Sequence, residues 1–324
     1  MITLEQRKSQ IGGAGLDVSV VFATRNRAEQ LRETLASYEK LDTQALQWEL
    51  VVINNGSSDD TLQVLETYAN RLPLRWLSVA EPGQNRARNA ALDSIRSHLV
   101  VFTDDDVLPE PNYLNAYVEA CARWPNDAIF GACVCPAFPA EAPGWMTRPD
   151  FEFSSTAFAR YAPAESEGVV SRHPYGPSFA ILRKVIADRR FNEDLGPQTG
   201  SYAMGGEGAF LRALAEHGHR YIYVPSACVR HVVRPEQVSE AWLLSRARKK
   251  GRGQFYLSEK RYAERIKLGG VPFKLWLAVV RGALRYRLSC LMTPVGAESR
   301  IKRGIDYMLR AGLIEEFRRH RDVK

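Results

Sequence analysis

Apolar runs alternate with stretches of helical period from Leu16 to about Phe138. Val18 to Phe22 is apolar apart from one Ser, which predicts a strand covered on both faces. Leu31, Leu35 and Tyr38 then share one helical stripe, with Asn26 as the expected N-cap and Glu29 three residues on, as in a capping box. Leu50 to Ile53 predicts a second strand. Ser57 or Ser58 is expected to open a helix carrying Leu62, Leu65, Tyr68 and Leu72. Trp76 to Val79 predicts a third strand, Asn85 to Ser97 a helix with Ala87, Ala91 and Ile95 on one face, and Leu99 to Phe102 a fourth strand. Such alternation predicts an α/β fold, a doubly wound and mainly parallel sheet with right-handed crossovers. Ligands bind beyond the carboxyl ends of the strands in such sheets.

The period weakens further on. Residues 139–177 are richer in Pro and Gly, and loops with a hairpin are expected. Phe179 to Leu182 predicts a strand. Glu207 to Glu216 predicts a helix with Phe210, Leu211 and Leu214 inside and Gly218 as C-cap. Tyr221 to Val224 and Val229 to Val233 predict two more strands, and from Ser239 the chain reads as helical and basic.

Composition adds an asymmetry. The 324 residues are 45% hydrophobic and 25% charged, which excludes a disordered, collagenous or wholly coiled-coil chain. The net charge of +7 conceals two opposing parts. Residues 240–324 hold 21 Lys and Arg against 8 Asp and Glu, a net of +13, while residues 1–239 are net −6. A basic segment on an acidic body points to an anionic partner, membrane or nucleic acid. Five cysteines are too few and odd in number for a disulfide framework. Cys133 and Cys135 are two apart with nothing near them to complete a zinc spacing, so they read as small buried residues. Met1 to Gly15 has no apolar run, so no signal peptide is expected. Val271 to Met292 is interrupted by Lys274, Arg281, Arg285 and Arg287 and is no lone transmembrane helix. A cytoplasmic location is expected.

Three strand ends carry polar segments that should converge on one crevice: Ala23-Thr24-Arg25-Asn26, Asn54-Asn55-Gly56-Ser57 and Asp104-Asp105-Asp106. Three consecutive carboxylates repel one another, and a divalent cation offsets that charge. Oxygen ligands suit Mn2+ or Mg2+, and magnesium favours few carboxylates together with substrate phosphates. A solvated turn or helix start is the bland alternative.

The ordered set Val20-Val21-Phe22-Ala23-Thr24-Arg25-Asn26-Arg27, Val52-Ile53-Asn54-Asn55-Gly56-Ser57-Ser58-Asp59, Ala87-Arg88-Asn89, Phe102-Thr103-Asp104-Asp105-Asp106, Gly205-Gly206-Glu207 and His231 resembles the inverting family 2 glycosyltransferases of GT-A fold, over roughly residues 16–235. The resemblance implies a nucleotide-sugar donor, with Ala23, Thr24 and Arg27 near the nucleotide and Arg88 near the diphosphate. Asn54 stands where the family usually has an aspartate facing the base. An amide both donates and accepts, and uracil offers N3–H and a carbonyl, so UDP, the favoured donor, stays compatible with Asn54, as does dTDP and, less readily, GDP or CDP. Asp104 is implied to contact ribose or donor sugar, Asp106 to bind Mn2+ or Mg2+, and Asp105 to do either. His231 is a further metal ligand or a structural histidine. Inversion needs a base that deprotonates the acceptor hydroxyl. The family's acidic pair is here Glu207-Gly208, so its aspartate is missing. Glu207 is the substitute, with Asp194 a distant second. The implied organisation is an N-terminal extension (1–15), a nucleotide-sugar-binding half (16–138), an acceptor-binding and catalytic half (139–238) and a basic helical segment (239–324).

Two rivals remain open. A sugar-1-phosphate nucleotidyltransferase should show a glycine-rich first loop, which 23–27 lacks. A non-catalytic nucleotide-sugar-binding protein is kept open by Gly208. Trp145, Tyr175, Phe179 and Tyr202 are candidates for stacking on sugar rings near the acceptor, or for core packing. The basic segment is outside the resemblance. Arg246, Arg248, Lys249, Lys250, Arg252, Lys260 and Arg261 precede Phe273, Leu277, Val280, Leu284, Leu288 and Leu291 at helical spacing. This predicts a basic amphipathic helix on an anionic membrane surface through residues 242–291, near a glycan or lipid-linked acceptor. Packing on the body is the alternative, and nucleic acid is disfavoured because no recognised module accompanies the charge.

Overall fold

The computed structural model describes residues 16–43, 46–198, 201–262, 267–291 and 296–321. The expected extension 1–15, the side chains of Lys260 and Arg261, and Met292 lie outside the described residues. The chain divides into two compact units. The first holds the described residues up to Ala137 with Phe158–Glu193 and Gly206–Val232; the second holds Phe138–Ala157, Asp194–Gly205 and the described residues from Val233 on.

The first unit is built on one sheet. Strands β1 (Val18–Thr24), β2 (Trp48–Asn54), β3 (Leu74–Ser78) and β4 (Leu99–Thr103) alternate with helices α1 (Ala28–Tyr38), α2 (Thr61–Ala69) and α3 (Gln84–Ser94). Short β5 (Val107–Pro109), helix α4 (Tyr113–Arg123), β6 (Ile129–Ala137), β7 (Gly168–Val170), β8 (Ser178–Leu182), helix α5 (Gly206–Ala215) and a long strand, Tyr221–Val232, complete it. That last strand is β11, because β9 (Gly196–Gln198) and β10 (Ser201–Ala203) form a separate ribbon. The sheet order is β3-β2-β1-β4-β8-β6-β11-β5, with β7 on β11. Strands β3, β2, β1 and β4 are parallel, as expected. β8 then runs antiparallel between β4 and β6, and β6 and β11 are again parallel.

The apolar runs explain the buried layer. Val18, Val20, Val21 and Phe22 of β1 are fully buried, and Leu31, Leu35 and Tyr38 of α1 cover them. Several boundaries differ from the sequence pattern for local reasons. Asn26 does not cap α1. It sits at φ 50, a left-handed conformation asparagine tolerates, and its Oδ1 accepts from the Ser58 amide at 2.7 Å. Neither Ser57 nor Ser58 opens α2, which starts at Thr61. Asp59 does that work: it accepts from Thr61 N at 3.1 Å, from Thr61 Oγ1 at 2.5 Å and from Ala28 N at 3.1 Å, tying the starts of α1 and α2 together. The two strands expected around 221–233 are one strand with a register shift between Val224 and Cys228. Residues 139–177 contain β7 but no hairpin among the described residues, since β7 pairs with β11.

In the second unit, helix α6 (Glu240–Tyr262), helix α7 (Phe273–Leu291) and helix α8 (Ala297–Arg321) pack around Phe255, Leu275, Leu313, Ile314 and Phe317. A Cβ on Gly251 would stand 1.9 Å from the Leu309 carbonyl oxygen, and one on Gly312 2.0 Å from that of Arg248, so α6 and α8 touch backbone to backbone. Arg252 pairs with the buried Glu316 at 2.7 Å, Arg248 with Glu315, and Lys250 with Thr156. Much of the α6 basic charge is therefore spent on internal contacts.

The bridge at Asp59 gives a stability prediction. Slight burial opposes its charge, but hydrogen bonds from Thr61 and Ala28 hold its carboxyl below the usual aspartate range. Asp59→Ala should cost about 1 kcal/mol in urea unfolding at neutral pH. A depressed folded-state pKa means that this stabilisation is present above the unfolded value and is lost as pH falls through the folded one. The wild-type advantage should therefore shrink on acidification; an advantage independent of pH would contradict the bridge.

Candidate active site

The carboxyl ends of β1, β2 and β4 meet, and the first unit gathers most of the expected residues there. Thr24 is buried at the end of β1, in register with Asn54 on β2, and Ala23 precedes it beside Ile53. The Asn54 side-chain Oδ1 accepts from the Ser57 amide at 3.1 Å and closes the turn after β2. Its neighbour Asn55 was not singled out by the sequence pattern. Its amide donates to the carbonyls of Val79 and Glu81, at 3.1 and 2.8 Å, and its Oδ1 accepts from Gly83 N at 2.8 Å. Asn55 thus pins the loop that leads into α3. Gly56, at φ +72, has no room for a side chain, since a Cβ would stand 2.8 Å from the Ala80 carbonyl oxygen.

Helix α3 turns a polar face inward. Asn85, Arg88 and Asn89 are buried on it beside Ala87 and Ala91. Asn89 pairs with both backbone groups of Phe191, at 2.8 and 3.0 Å, and Asn85 donates to the Asn192 carbonyl at 2.8 Å. Arg88, expected near the diphosphate and the acidic loop, is fully buried. Its Nη2 meets Asp104 Oδ1 at 3.1 Å and its Nη1 meets Glu207 Oε1 at 2.9 Å. The guanidinium also lies over the Phe191 ring, 5.6 Å from its centroid. One residue therefore joins the end of β4 to the start of α5. Gln84 adds a 3.0 Å bond to Asp104.

Arg27 plays a parallel part. Its Nη1 lies 2.7 Å from Asp105 Oδ1 and 3.1 Å from Asp106 Oδ2. Burial pushes the Asp105 carboxyl up to about 6, against the attraction of Arg27. Burial also raises Asp104, with Arg88 opposing. His231 on β11 approaches Asp106, Nε2 to Oδ1 at 3.5 Å. Burial disfavours its charged form, but the Asp106 and Asp104 carboxylates outweigh that and raise its pKa. Its Nδ1 lies 3.0 Å from the Phe158 carbonyl, which can only accept, so Nδ1 carries the proton. Nε2 is then the nitrogen turned toward Asp106, the orientation a ligating histidine needs.

Glycines stand close around Glu207, whose side chain is partly exposed. A Cβ on Gly176 would stand 3.0 Å from Glu207 Oε1 and 3.5 Å from Asp104 Oδ2. A Cβ on Gly206 would collide with Asn85 Nδ2 at 2.3 Å. Gly208, at the position of the family's missing aspartate, faces His173: a Cβ there would stand 2.9 Å from Cε1 and Nε2 of the ring. His173 was missed because it lies 35 residues earlier, in a stretch without period. Phe179 does not reach toward an acceptor; it is fully buried and stacks on Phe102 with centroids 4.9 Å apart. Trp145 packs edge-on against Phe151, and the Tyr202 hydroxyl accepts from Arg246. Asp194 belongs to the second unit.

Four carboxylates, Asp104, Asp105, Asp106 and Glu207, thus face two guanidiniums, Arg27 and Arg88. The remaining negative charge, with an imidazole nitrogen turned toward Asp106, suits a divalent cation.

Comparison with known proteins accords with this geometry. Validoxylamine A glucosyltransferase of Streptomyces hygroscopicus subsp. jinggangensis is 32% identical over 119 residues, 36% of this chain and 28% of that protein. Poly(ribitol-phosphate) beta-N-acetylglucosaminyltransferase TarS of Staphylococcus aureus is 36% identical over 90 residues, 27% of this chain and 16% of that protein. The chain therefore matches less than a third of the length of either relative. Among solved structures, mannosyltransferase PcManGT of Pyrobaculum calidifontis in complex with GDP-Man and Mn2+ superposes with a TM-score of 0.62 at 19% identity, over 97% of this chain and 93% of that one. S. aureus TarS 1-349 in complex with UDP-GlcNAc gives 0.50 at 17% identity, over 94% and 92%. These likenesses support the GT-A-type α/β fold with its helical C-terminal extension. The model of the family described as Glycosyl transferase family 2 matches residues 19–190, more than half of the sequence, and the chain belongs to that family.

Proposed function

We propose that the chain is a metal-dependent inverting glycosyltransferase that moves a sugar from a nucleotide diphosphate donor, UDP favoured, to a hydroxyl of a glycan or lipid-linked acceptor. The observation that carries the proposal is Glu207, an accessible carboxylate held by the buried Arg88 beside Asp104. The relatives named as glucosyltransferase and N-acetylglucosaminyltransferase support the reaction class. The neighbour solved with GDP-Man and Mn2+ and the one solved with UDP-GlcNAc support a nucleotide-sugar donor and a divalent metal.

In this reading Ala23, Thr24 and Asn54 border the nucleotide, and Asp104 orients ribose or donor sugar. Asp106 and His231 hold Mn2+ or Mg2+, with Asp105 beside them. The bound cation supplies charge neutralisation for the departing diphosphate. Arg27 holds Asp105 and Asp106 in place and lies where phosphate oxygens would be drawn. Arg88 holds Glu207 aimed. Glu207 takes the proton of the acceptor hydroxyl as its oxygen attacks the anomeric carbon from the face opposite the diphosphate, which inverts the centre.

The expected membrane surface narrows to α7. Leu275, Gly282 and Ser289 are its buried residues, and Gly282 lies against Tyr307 of α8. Phe273, Leu277, Val280, Leu284, Leu288 and Leu291 form the opposite stripe and are exposed, Leu284 by 59% and Leu291 by 80%. Lys274, Arg281 and Arg285 flank it and are exposed as well. No helix among the described residues is long and apolar enough to cross a membrane. An anionic lipid surface matches both the apolar stripe and its basic flank, at about 1 kcal/mol per basic residue near the headgroups.

Two experiments test these readings. In a panel of nucleotide sugars with and without Mn2+, the true donor should raise the melting temperature only with the metal, and His231→Ala should abolish that rise. Glu207→Gln should keep the rise yet lose turnover by about 10²- to 10⁴-fold. Donor binding without turnover in the wild-type chain would favour the non-catalytic reading kept open by Gly208. For the surface, Leu284→Glu with Leu288→Glu should abolish cosedimentation with anionic vesicles, and wild-type binding should weaken with salt. Unchanged vesicle binding by the folded double variant would sink the α7 assignment.

A further inference from the structure

Cysteines 133, 135 and 228 form a cluster that the spacing along the chain conceals. Cys133 and Cys135 alternate on β6, so both side chains leave the same face of the sheet. The register shift in β11 after Val224 sets Cys228 directly opposite Cys133. The three sulfur atoms lie within 4.8 Å of one another, with Cys133 and Cys135 3.7 Å apart. In a tetrahedral thiolate site with metal–sulfur bonds of about 2.3 Å, ligand sulfurs stand about 3.8 Å apart. The cluster already approximates one face of that tetrahedron.

We propose that Cys133, Cys135 and Cys228 bind a thiophilic cation, Zn2+, as three thiolate ligands with the fourth position open to a water on the exposed side of Cys135. This site is separate from the acidic one. Cys228 and His231 are three residues apart on β11 and leave opposite faces of the strand, and the soft sulfur set selects a different metal from the oxygen-rich set at Asp106. Cys133 is the thiol most readily ionised; burial pushes Cys135 up and hydrogen bonding with Cys133 pushes Cys228 up, so a metal binding there releases their protons. Hydrogen bonding from Cys228 first, then from Tyr223 and Cys135, with Arg160 nearby, holds the Cys133 thiol down to about 5 against its partial burial. Arg160 also offsets the single negative charge that three thiolates leave on a divalent ion. The bound ion would clamp β6 to β11 at the register shift, behind the strand that carries His231.

Anaerobic titration of the full chain, reduced and stripped by a chelator, with Co2+ and then Zn2+ tests this. The expected result is a thiolate-to-cobalt charge-transfer band that saturates at one Co2+ per chain and is bleached by Zn2+. The acidic site gives no such band, because it holds no sulfur. Cys228→Ser and Cys133→Ser should lose the band, and Cys290→Ser should keep it. Thermal unfolding of the chelated proteins checks that each variant is folded; should Cys228→Ser fail, Cys135→Ser at an exposed position replaces it. Absence of the band from the wild-type chain, or its persistence in a folded cluster variant, overturns the proposal.

Discussion

Arg88 occupies the point on which the carboxyl end of the sheet depends. A guanidinium with no exposed surface has lost its hydration, and such a charge persists only where carboxylates and hydrogen bonds replace the water. Asp104 and Glu207 provide that replacement, from segments 16 and 119 residues away along the chain. The planar fork of arginine can meet both acids at once, which a lysine ammonium on a flexible stem does not do with the same geometry. Breaking a buried pair of this kind costs on the order of 3–5 kcal/mol, so the ends of β4 and the start of α5 are held in one arrangement. The acid proposed as base inherits its aim from that arrangement.

The same region is shaped by the absence of side chains. Gly176, Gly206 and Gly208 each border a functional group closely enough that a Cβ would displace it. Gly208 illustrates the trade. The His173 ring occupies the space an acidic side chain would need, and its Nδ1 must donate to the Pro174 carbonyl, 2.8 Å away, because a carbonyl only accepts. Glu207 is therefore the acid proposed as base. The second unit serves other ends. Its basic charge is partly consumed by Glu315 and Glu316, while α7 keeps an apolar stripe turned away from its buried face.

Much of this could be read from the chain before any coordinates. The apolar runs located β1, β2 and β4 because strands buried on both faces carry uninterrupted hydrophobic residues. The acidic run after β4 marked the candidate site, and Glu207 was singled out by the resemblance, at the position of the family's acidic pair. What escaped were interactions between distant residues. The polar face of α3 looks solvent-facing in a helical projection, yet Asn85, Arg88 and Asn89 are buried against residues 191–193 and 207. Asn55 and Asp59 resemble ordinary turn residues until their partners in other loops are known. Cys228 is 93 residues from Cys135, and only the register of β11 brings it close. The antiparallel insertion of β8 also had no local signal, since an apolar run does not state the direction of its neighbours.

The most direct test of this account is the turnover of Arg88→Lys, measured at saturating donor and Mn2+ on protein shown by circular dichroism to be folded. The substitution keeps a positive charge but removes the fork that joins Asp104 to Glu207. A loss of about a hundredfold in turnover, with Mn2+-dependent donor binding retained, is the expected result for a misaimed base. Wild-type turnover in a folded Arg88→Lys protein would contradict the claim that this buried guanidinium positions Glu207.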